Sequence, residues 1–285
     1  MCRRIGFHVS IEGGLDRAVG RALERGCTAL QVFAGNPRGW QLQKRDEAEL
    51  TRLRDARAQA DLTPLVVHSC YLINPCSRDR AVLARSVRRL AAELEAAAAM
   101  GADFYVLHPG SHKGEPTAWG VERAAQSIAS ALAEAGGAVP VLLEGMASEH
   151  GPGGDVERLG ALIDRIASAV PEARLGIAVD TCHAFGAGYD FRDAGEVDRL
   201  VREVRDAVGL EALRLLHVND SRDQPGSRRD RHEHIGRGTI GRRGLANVLN
   251  HPALSTLPLI LETPWESVET DRRNLRAVRR LLDSG

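Results

Sequence analysis

The chain has 285 residues, with 38 Lys and Arg against 38 Asp and Glu, so its formal net charge is zero. That balance argues against a protein that coats nucleic acid by bulk electrostatics. A hydrophobic share of 43% and a charged share of 27% are those of an ordinary globular protein. No stretch is long and apolar enough to cross a membrane and the N-terminus lacks a signal peptide's apolar core, so a cytoplasmic protein is expected. The cysteines (Cys2, Cys27, Cys70, Cys76 and Cys182) are odd in number and form no C-x-x-C pair. This weighs against a disulfide framework or a thiolate zinc site, and Cys182 reads as a small buried thiol.

Short apolar runs recur at 4–10, 29–34, 65–69, 104–108, 139–144, 175–180, 213–219 and 257–262. Each is too short for a helix, and near-continuous apolar character suits parallel strands covered on both faces. Between them, helical spacing predicts helices over 15–25 (ending at Gly26, a C′ glycine), 46–60, 77–100, 119–135, 155–169 and 194–208. A shorter helix is expected over 244–249 and a last one over 270–282. Alternating strands and helices make either a closed barrel or an open doubly wound sheet. No G-x-G-x-x-G follows the first strand, which weakens the dinucleotide-binding sheet. With about 250 residues needed for an eightfold barrel, the expectation is one (β/α)8 TIM barrel spanning residues 1–285, its active site at the C-terminal ends of the strands.

From the third strand onward the closing residues are His68, His108, Glu144, Asp180, His217 and Glu262. They recur about one βα unit apart, and His8 in the first strand is a candidate for the same ring. With 38 acids and 10 histidines in 285 residues, eight strand ends would carry one or two such residues by chance rather than six. Asp180-Thr-Cys-His183 adds a histidine on the turn after its strand. Asp230-Arg-His232 adds an i, i+2 pair on an extended loop, both side chains to one side. Five imidazoles and four carboxylates suit zinc, with manganese or iron as other ions of that donor preference. Nine donors exceed the three protein ligands of one catalytic zinc and match a three-metal cluster, an arrangement suited to phosphodiester hydrolysis. Glu144, Glu262 and His108 are the expected catalytic members.

The same residues sit in motifs that resemble the endonuclease IV family, the zinc-dependent apurinic/apyrimidinic endonucleases (AP endonuclease family 2). The motifs run from Phe7-His-Val-Ser10 through Val67-His68, Tyr71-Leu-Ile-Asn74, Leu107-His-Pro-Gly-Ser-His112 and Asp180-Thr-Cys-His-Ala-Phe185 with Gly188-Tyr-Asp190. They continue through His217-Val-Asn-Asp-Ser221, Gly226-Ser-Arg-Arg-Asp-Arg-His232, Ile235-Gly236 and Leu261-Glu-Thr-Pro264. The resemblance implies a first zinc on His68, His108 and Glu144. Glu144 would bridge to a second on Asp180, His217 and Glu262, and His183, Asp230 and His232 would hold a third; manganese at one position is compatible. It further implies incision 5′ to an abasic site in duplex DNA, leaving a 3′-hydroxyl and a 5′-deoxyribose phosphate, and removal of blocking groups from 3′ ends. A monomer, associated with the nucleoid when acting on DNA, is expected.

By the same resemblance, Arg38 and Trp40 after the second strand and Tyr71 and Leu72 after the third are minor-groove elements that kink the duplex. Arg228, Arg229 and Arg231 become phosphate contacts. Two departures stand out: Gly145-Met146 and an Ala-Ser-Glu-His stretch replace the family's usual Asn-Thr after Glu144, and Arg237 stands where an acid is common. Two rival readings remain open at this point. One is a metal-dependent barrel sugar isomerase or epimerase, and the other a non-catalytic lesion-binding protein, whose mark would be a lost ligand.

Overall fold

The computed structural model describes residues 3–137, 139–147 and 151–282. Among the described residues the strands are β1 (Ile5–His8), β2 (Ala29–Phe33), β3 (Leu65–His68), β4 (Phe104–Leu107), β5 (Val141–Glu144), β6 (Leu175–Asp180), β7 (Leu213–His217), the two-residue β8 (Asp220–Ser221) and β9 (His232–Glu233), and β10 (Leu259–Leu261). β1 to β7 and β10 are parallel and close a barrel in the order β1-β10-β7-β6-β5-β4-β3-β2. β8 and β9 pair separately as an antiparallel hairpin, Asp220 opposite Glu233 and Ser221 opposite His232. The helices are α1 (Leu15–Arg25), α2 (Glu47–Gln59), α3 (Arg80–Ala99), α4 (Thr117–Ala135), α5 (Val156–Ala169), α6 (Thr181–Ala187), α7 (Ala194–Val208), α8 (Gly241–Leu249) and α9 (Val268–Leu282).

Local chemistry sets these boundaries. Asp46, Asp79, Asp155 and Asp193 each accept a backbone N–H of the following turn, so each helix begins just after its aspartate. Asp79 therefore starts α3 at Arg80, three residues later than the spacing predicts. Gly26 ends α1 in the left-handed conformation at φ 80°. Two elements are absent from the sequence reading. Residues 181–187 form a helix rather than a turn, because Asp180 caps it by accepting the N–H groups of Cys182 and His183; two turns are too short to show a period. The β8–β9 hairpin gives order to the Arg-rich stretch expected to be a loop.

Two apolar layers hold the barrel. The larger lies between strands and helices. The smaller fills the interior with Ala29, Val66, Phe104, Val106, Leu142, Ala178, Leu215 and Ile260. Side chains alternate along a strand, so the residue two beyond each upper interior position also points inward. At Gly6, whose Cβ would lie 2.0 Å from the Ala29 carbonyl oxygen, β1 and β2 approach too closely for any side chain.

A candidate metal centre at the barrel mouth

Two residues beyond the interior layer, the strands deliver Gln31, His68, His108, Glu144, Asp180, His217 and Glu262, with His8 two beyond Gly6. This inward ring lies at the C-terminal mouth, where barrels place their chemistry. His108 and Glu262 stand one residue past β4 and β10, and the others lie within their strands. A cavity of about 630 Å³ opens above the ring, lined among others by His8, His68, His108, His183, Asp230, His232, Glu262 and Tyr71.

Donor atoms fall into four groups close enough to share an ion: His68, His108 and Glu144; Glu144, Asp180, His217 and Glu262; His183, Asp230 and His232; and Asp180, Cys182 and His232. The first three have the same members as the sets implied by the resemblance. His183 is brought in by the first turn of α6, and His232 by the start of β9. His183 Nε2 and His232 Nε2 each lie 3.1 Å from an Asp230 carboxylate oxygen. Burial pushes the Cys182 thiol up to about 12, which keeps it protonated beside these donors.

The donor geometry fits metal ions. His68 Nε2 and His108 Nε2 each stand 3.5 Å from Glu144 Oε2, beyond hydrogen-bond reach. Two ligands on a tetrahedral ion with bonds of about 2.1 Å are about 3.4 Å apart. Glu144 Oε2 is buried with no hydrogen-bond partner among the described residues, a costly state unless a cation takes the lone pair. The imidazoles are also oriented from behind. His68, His183 and His232 donate from Nδ1 to the carbonyls of Ser69 (2.8 Å), Gly145 (3.0 Å) and Glu262 (3.0 Å). Each thereby keeps its Nε2 lone pair toward the cavity.

Electrostatics follow from burial opposed by close pairing. Burial lowers His108 to about 4, its nearby carboxylates only partly compensating. His217 faces the same burial, but Glu144 and Glu262 outweigh it and raise it to about 9. At His232, Asp180 and Asp230 do likewise, again to about 9. Burial would raise Glu144, yet His217 and His108 hold it well below the usual carboxylate range. In the same way His183 and His232 keep Asp230 ionised against its own desolvation. The cluster thus consists of ionised carboxylates facing cationic positions that protons or metal ions can occupy.

Two buried amides escaped the sequence reading. Gln31 donates to Glu262 Oε1 at 2.6 Å and accepts from His217 Nε2 at 2.8 Å, leaving His217 Nδ1 to face the carboxylates of Glu144 and Glu262. Its signal was a lone polar residue in the apolar strand Ala-Leu-Gln-Val-Phe. Asn219 donates to Asp180 Oδ2 at 2.6 Å and accepts the Glu262 backbone N–H at 2.8 Å. It lies in a quoted motif, but only the structure gives it partners. His8 joins the ring with Nδ1 at 3.2 Å from Glu262 Oε1.

The residues expected to meet DNA divide into two kinds. Arg38, Tyr71, Arg228 and Arg229 are exposed, and Tyr71 stands at the cavity rim, edge-on to Phe33 at 5.1 Å. Leu72 instead packs against the core, because its neighbours Cys70 and Ile73 anchor the loop inward. Trp40 is half-buried beneath the Arg85 guanidinium, 4.8 Å from its ring. The Arg231 guanidinium is clasped by both oxygens of Asp223, with Arg229 3.7 Å from the same carboxylate. The basic stretch is therefore more neutralised than its sequence suggests. After Glu144, Met146 N–H bonds the Gly153 carbonyl at 3.0 Å; Ser148, Glu149 and His150 lie outside the described residues.

Residues 19–284 match the family described as a xylose isomerase-like TIM barrel. The chain is 43% identical over 279 residues to a protein of Methanoculleus marisnigri named probable endonuclease 4, covering 97% of this chain and 98% of that one. The crystal structure of endonuclease IV from Thermus thermophilus is similar at a TM-score of 0.86 and 36% identity, over 99% of this chain and 100% of the other. A D-tagatose 3-epimerase-like protein shares the fold alone, at a TM-score of 0.72 and 18% identity over 98% and 97% of the two chains.

Proposed function

This chain belongs to the endonuclease IV family, and we propose that it is a DNA-repair hydrolase that cuts the phosphodiester bond 5′ to an abasic site. One observation supports the reading: the nine expected donors fall into groups of three or four close enough to share an ion, and His68, His108, His183, Asp230, His232 and Glu262 among them line one open cavity, with Glu144, Asp180 and His217 buried beneath it. The third group, on α6 and the hairpin, extends the cluster outward to Asp230, whose side chain is 56% exposed. That is where a polymer backbone would lie, and where a small closed sugar pocket would have no use for donors.

Nitrogen and carboxylate donors of this kind suit zinc, and three ions account for the set. His68, His108 and Glu144 would hold one. Glu144, Asp180, His217 and Glu262 would hold a second, and His183, Asp230 and His232 a third. When bound, such ions polarise the phosphoryl oxygens, lower the pKa of water and neutralise the leaving oxygen. The chain itself fixes the donors before substrate arrives: Gln31 and Asn219 orient His217, Asp180 and Glu262, and three backbone carbonyls orient His68, His183 and His232. Glu144, wholly buried, keeps its carboxylate ionised between the first two groups.

DNA would lie across the mouth, with Arg38 and Tyr71 entering the minor groove from the rim and Arg228 and Arg229 on phosphates. Trp40 and Leu72 shape these loops from within, and Arg231, exposed but clasped by Asp223, braces the hairpin. Blocked 3′ ends would enter the same cavity, and one chain supplies the full set of donors. The decisive test is a duplex oligonucleotide with a single tetrahydrofuran lesion. Zinc-loaded protein should cut it 5′ to the lesion, and Glu144→Gln should lower turnover on the order of 10³-fold, as when a charge-stabilising group is removed from a transition state. Failure of the fully metallated protein to incise would sink the reading.

A further inference from the structure

One side of the cavity is bordered by two loops, 34–40 after β2 and 69–76 after β3, and neither is held by regular structure. They are tied to each other. Tyr71 N–H donates to the Pro37 carbonyl at 3.1 Å. The Cys70 thiol lies 3.2 Å from the Pro37 carbonyl oxygen and 3.7 Å from that of Gly39, and itself receives the Leu72 N–H at 3.4 Å.

Beneath them lies a charge cluster with no part in the metal groups. Glu93 on α3 is 1% exposed. Its Oε2 accepts the Cys70 N–H at 3.1 Å and the Tyr105 hydroxyl at 2.7 Å. Its Oε1 accepts Arg89 Nε at 2.8 Å, with Arg89 Nη2 also at 2.8 Å. Arg89 is 3% exposed, and it underlies the other loop: a Cβ placed on Gly35 would sit 3.5 Å from Arg89 Nη2. One ion pair thus lies under both loops: Glu93 holds the second through the Cys70 amide, and Arg89 packs close beneath Gly35 of the first. Arg89 Nη1 is buried without a hydrogen-bond partner among the described residues. A buried pair of this kind contributes little net stability over apolar packing, and its value lies in fixing a geometry.

We propose that Glu93, with Arg89 and Tyr105, is a positioning residue that fastens the two rim loops into one rigid unit and so presents Arg38 and Tyr71 to DNA. The proposal rests on the DNA-incision reading for its consequence, but its structural half can be measured without DNA. A fixed wedge meets the duplex with its ordering cost already met, whereas a loosened one must be ordered on binding. The effect therefore belongs to duplex recognition and leaves the chemistry at the ions intact.

The test uses Glu93→Gln, with Tyr105→Phe and Cys70→Ala as variants that keep the buried charge pair should Glu93→Gln fail to fold. Amide hydrogen exchange over 36–40 and 69–73 should quicken at least about tenfold relative to wild type while the barrel strands stay protected. On the lesion-bearing duplex KM should rise about tenfold with kcat nearly unchanged, the size of one lost charge-assisted hydrogen bond. Hydrolysis of bis(4-nitrophenyl) phosphate, which needs the ions but not the rim, should stay within twofold, as should metal content. Unchanged exchange in the two loops overturns the positioning role, and so does a parallel fall in activity on both substrates. Wild-type protein that cleaves the small diester but not the duplex would instead sink the abasic-site reading, with the exchange result still deciding the role of Glu93.

Discussion

Gln31 shows how much of this site depends on a residue that is neither charged nor at a strand end. Its amide is wholly buried and joins His217 to Glu262. Without it, His217 Nε2 and Glu262 each lose a partner, and the donors of the second group lose one of the restraints on their alignment. Gln31→Leu keeps the volume and removes both hydrogen bonds. We expect bound metal to fall by about one ion per chain on elemental analysis and turnover by about 10- to 100-fold, as for other groups that orient metal ligands. Full metal content with unchanged turnover would deny it that role. At the same scale the arginines are unequal. Arg38 is exposed, whereas Arg231 is already held by Asp223. Arg38→Ala should therefore flatten the salt dependence of DNA binding by about one counterion, and Arg231→Ala by much less. Equal slopes for the two variants would contradict that division.

At the scale of elements, the third metal group depends on two short pieces of structure. α6 starts on Asp180, which both caps the helix and faces the second group, so His183 is placed by the helix's first turn. The hairpin β8–β9 is held at its root by Asp220, whose buried carboxylate accepts the N–H groups of Ser221, Gly238, Ile240 and Gly241 at 2.8 to 3.2 Å. Asp220→Ala leaves these donors unsatisfied, at a cost of about 3 kcal/mol. A thermal melt should show that loss, and elemental analysis should show the His183–Asp230–His232 position emptied before the others. An unchanged melting temperature would mean that other contacts carry the hairpin.

For the whole molecule, the cluster couples metal content to stability and pH. In metal-stripped protein, His217 and His232 are raised to about 9 from an unfolded value near 6.5. Their contribution is fully present below pH 6.5 and is lost as pH rises through 9. Glu144 and Asp230 are depressed, so theirs is present above the ordinary carboxylate pKa and lost as the solution turns acid. Stripped protein should therefore melt at progressively lower temperature from pH 6.5 to 9. Ions displace those protons, so zinc-loaded protein should melt higher and lack the decline. A stripped protein whose melting temperature climbs across that window would show the pairing to be wrong.

By itself the sequence determined the barrel and the ligand types. Eight short apolar runs separated by helical spacing leave few other ways to bury both strand faces, and an acid or imidazole at six strand ends cannot be an apolar core. Strand alternation then explains why those residues share one mouth: each lies two positions past an interior apolar residue, as Glu144 does past Leu142 and His217 past Leu215. Tertiary structure decided what depends on partners far along the chain. Gln31 acquires meaning only through His217 and Glu262, 186 and 231 residues away. Leu72 turns inward, and Arg231 pairs with Asp223 across the hairpin. Local spacing fixes which side of an element a residue faces; only the folded chain fixes what it faces there.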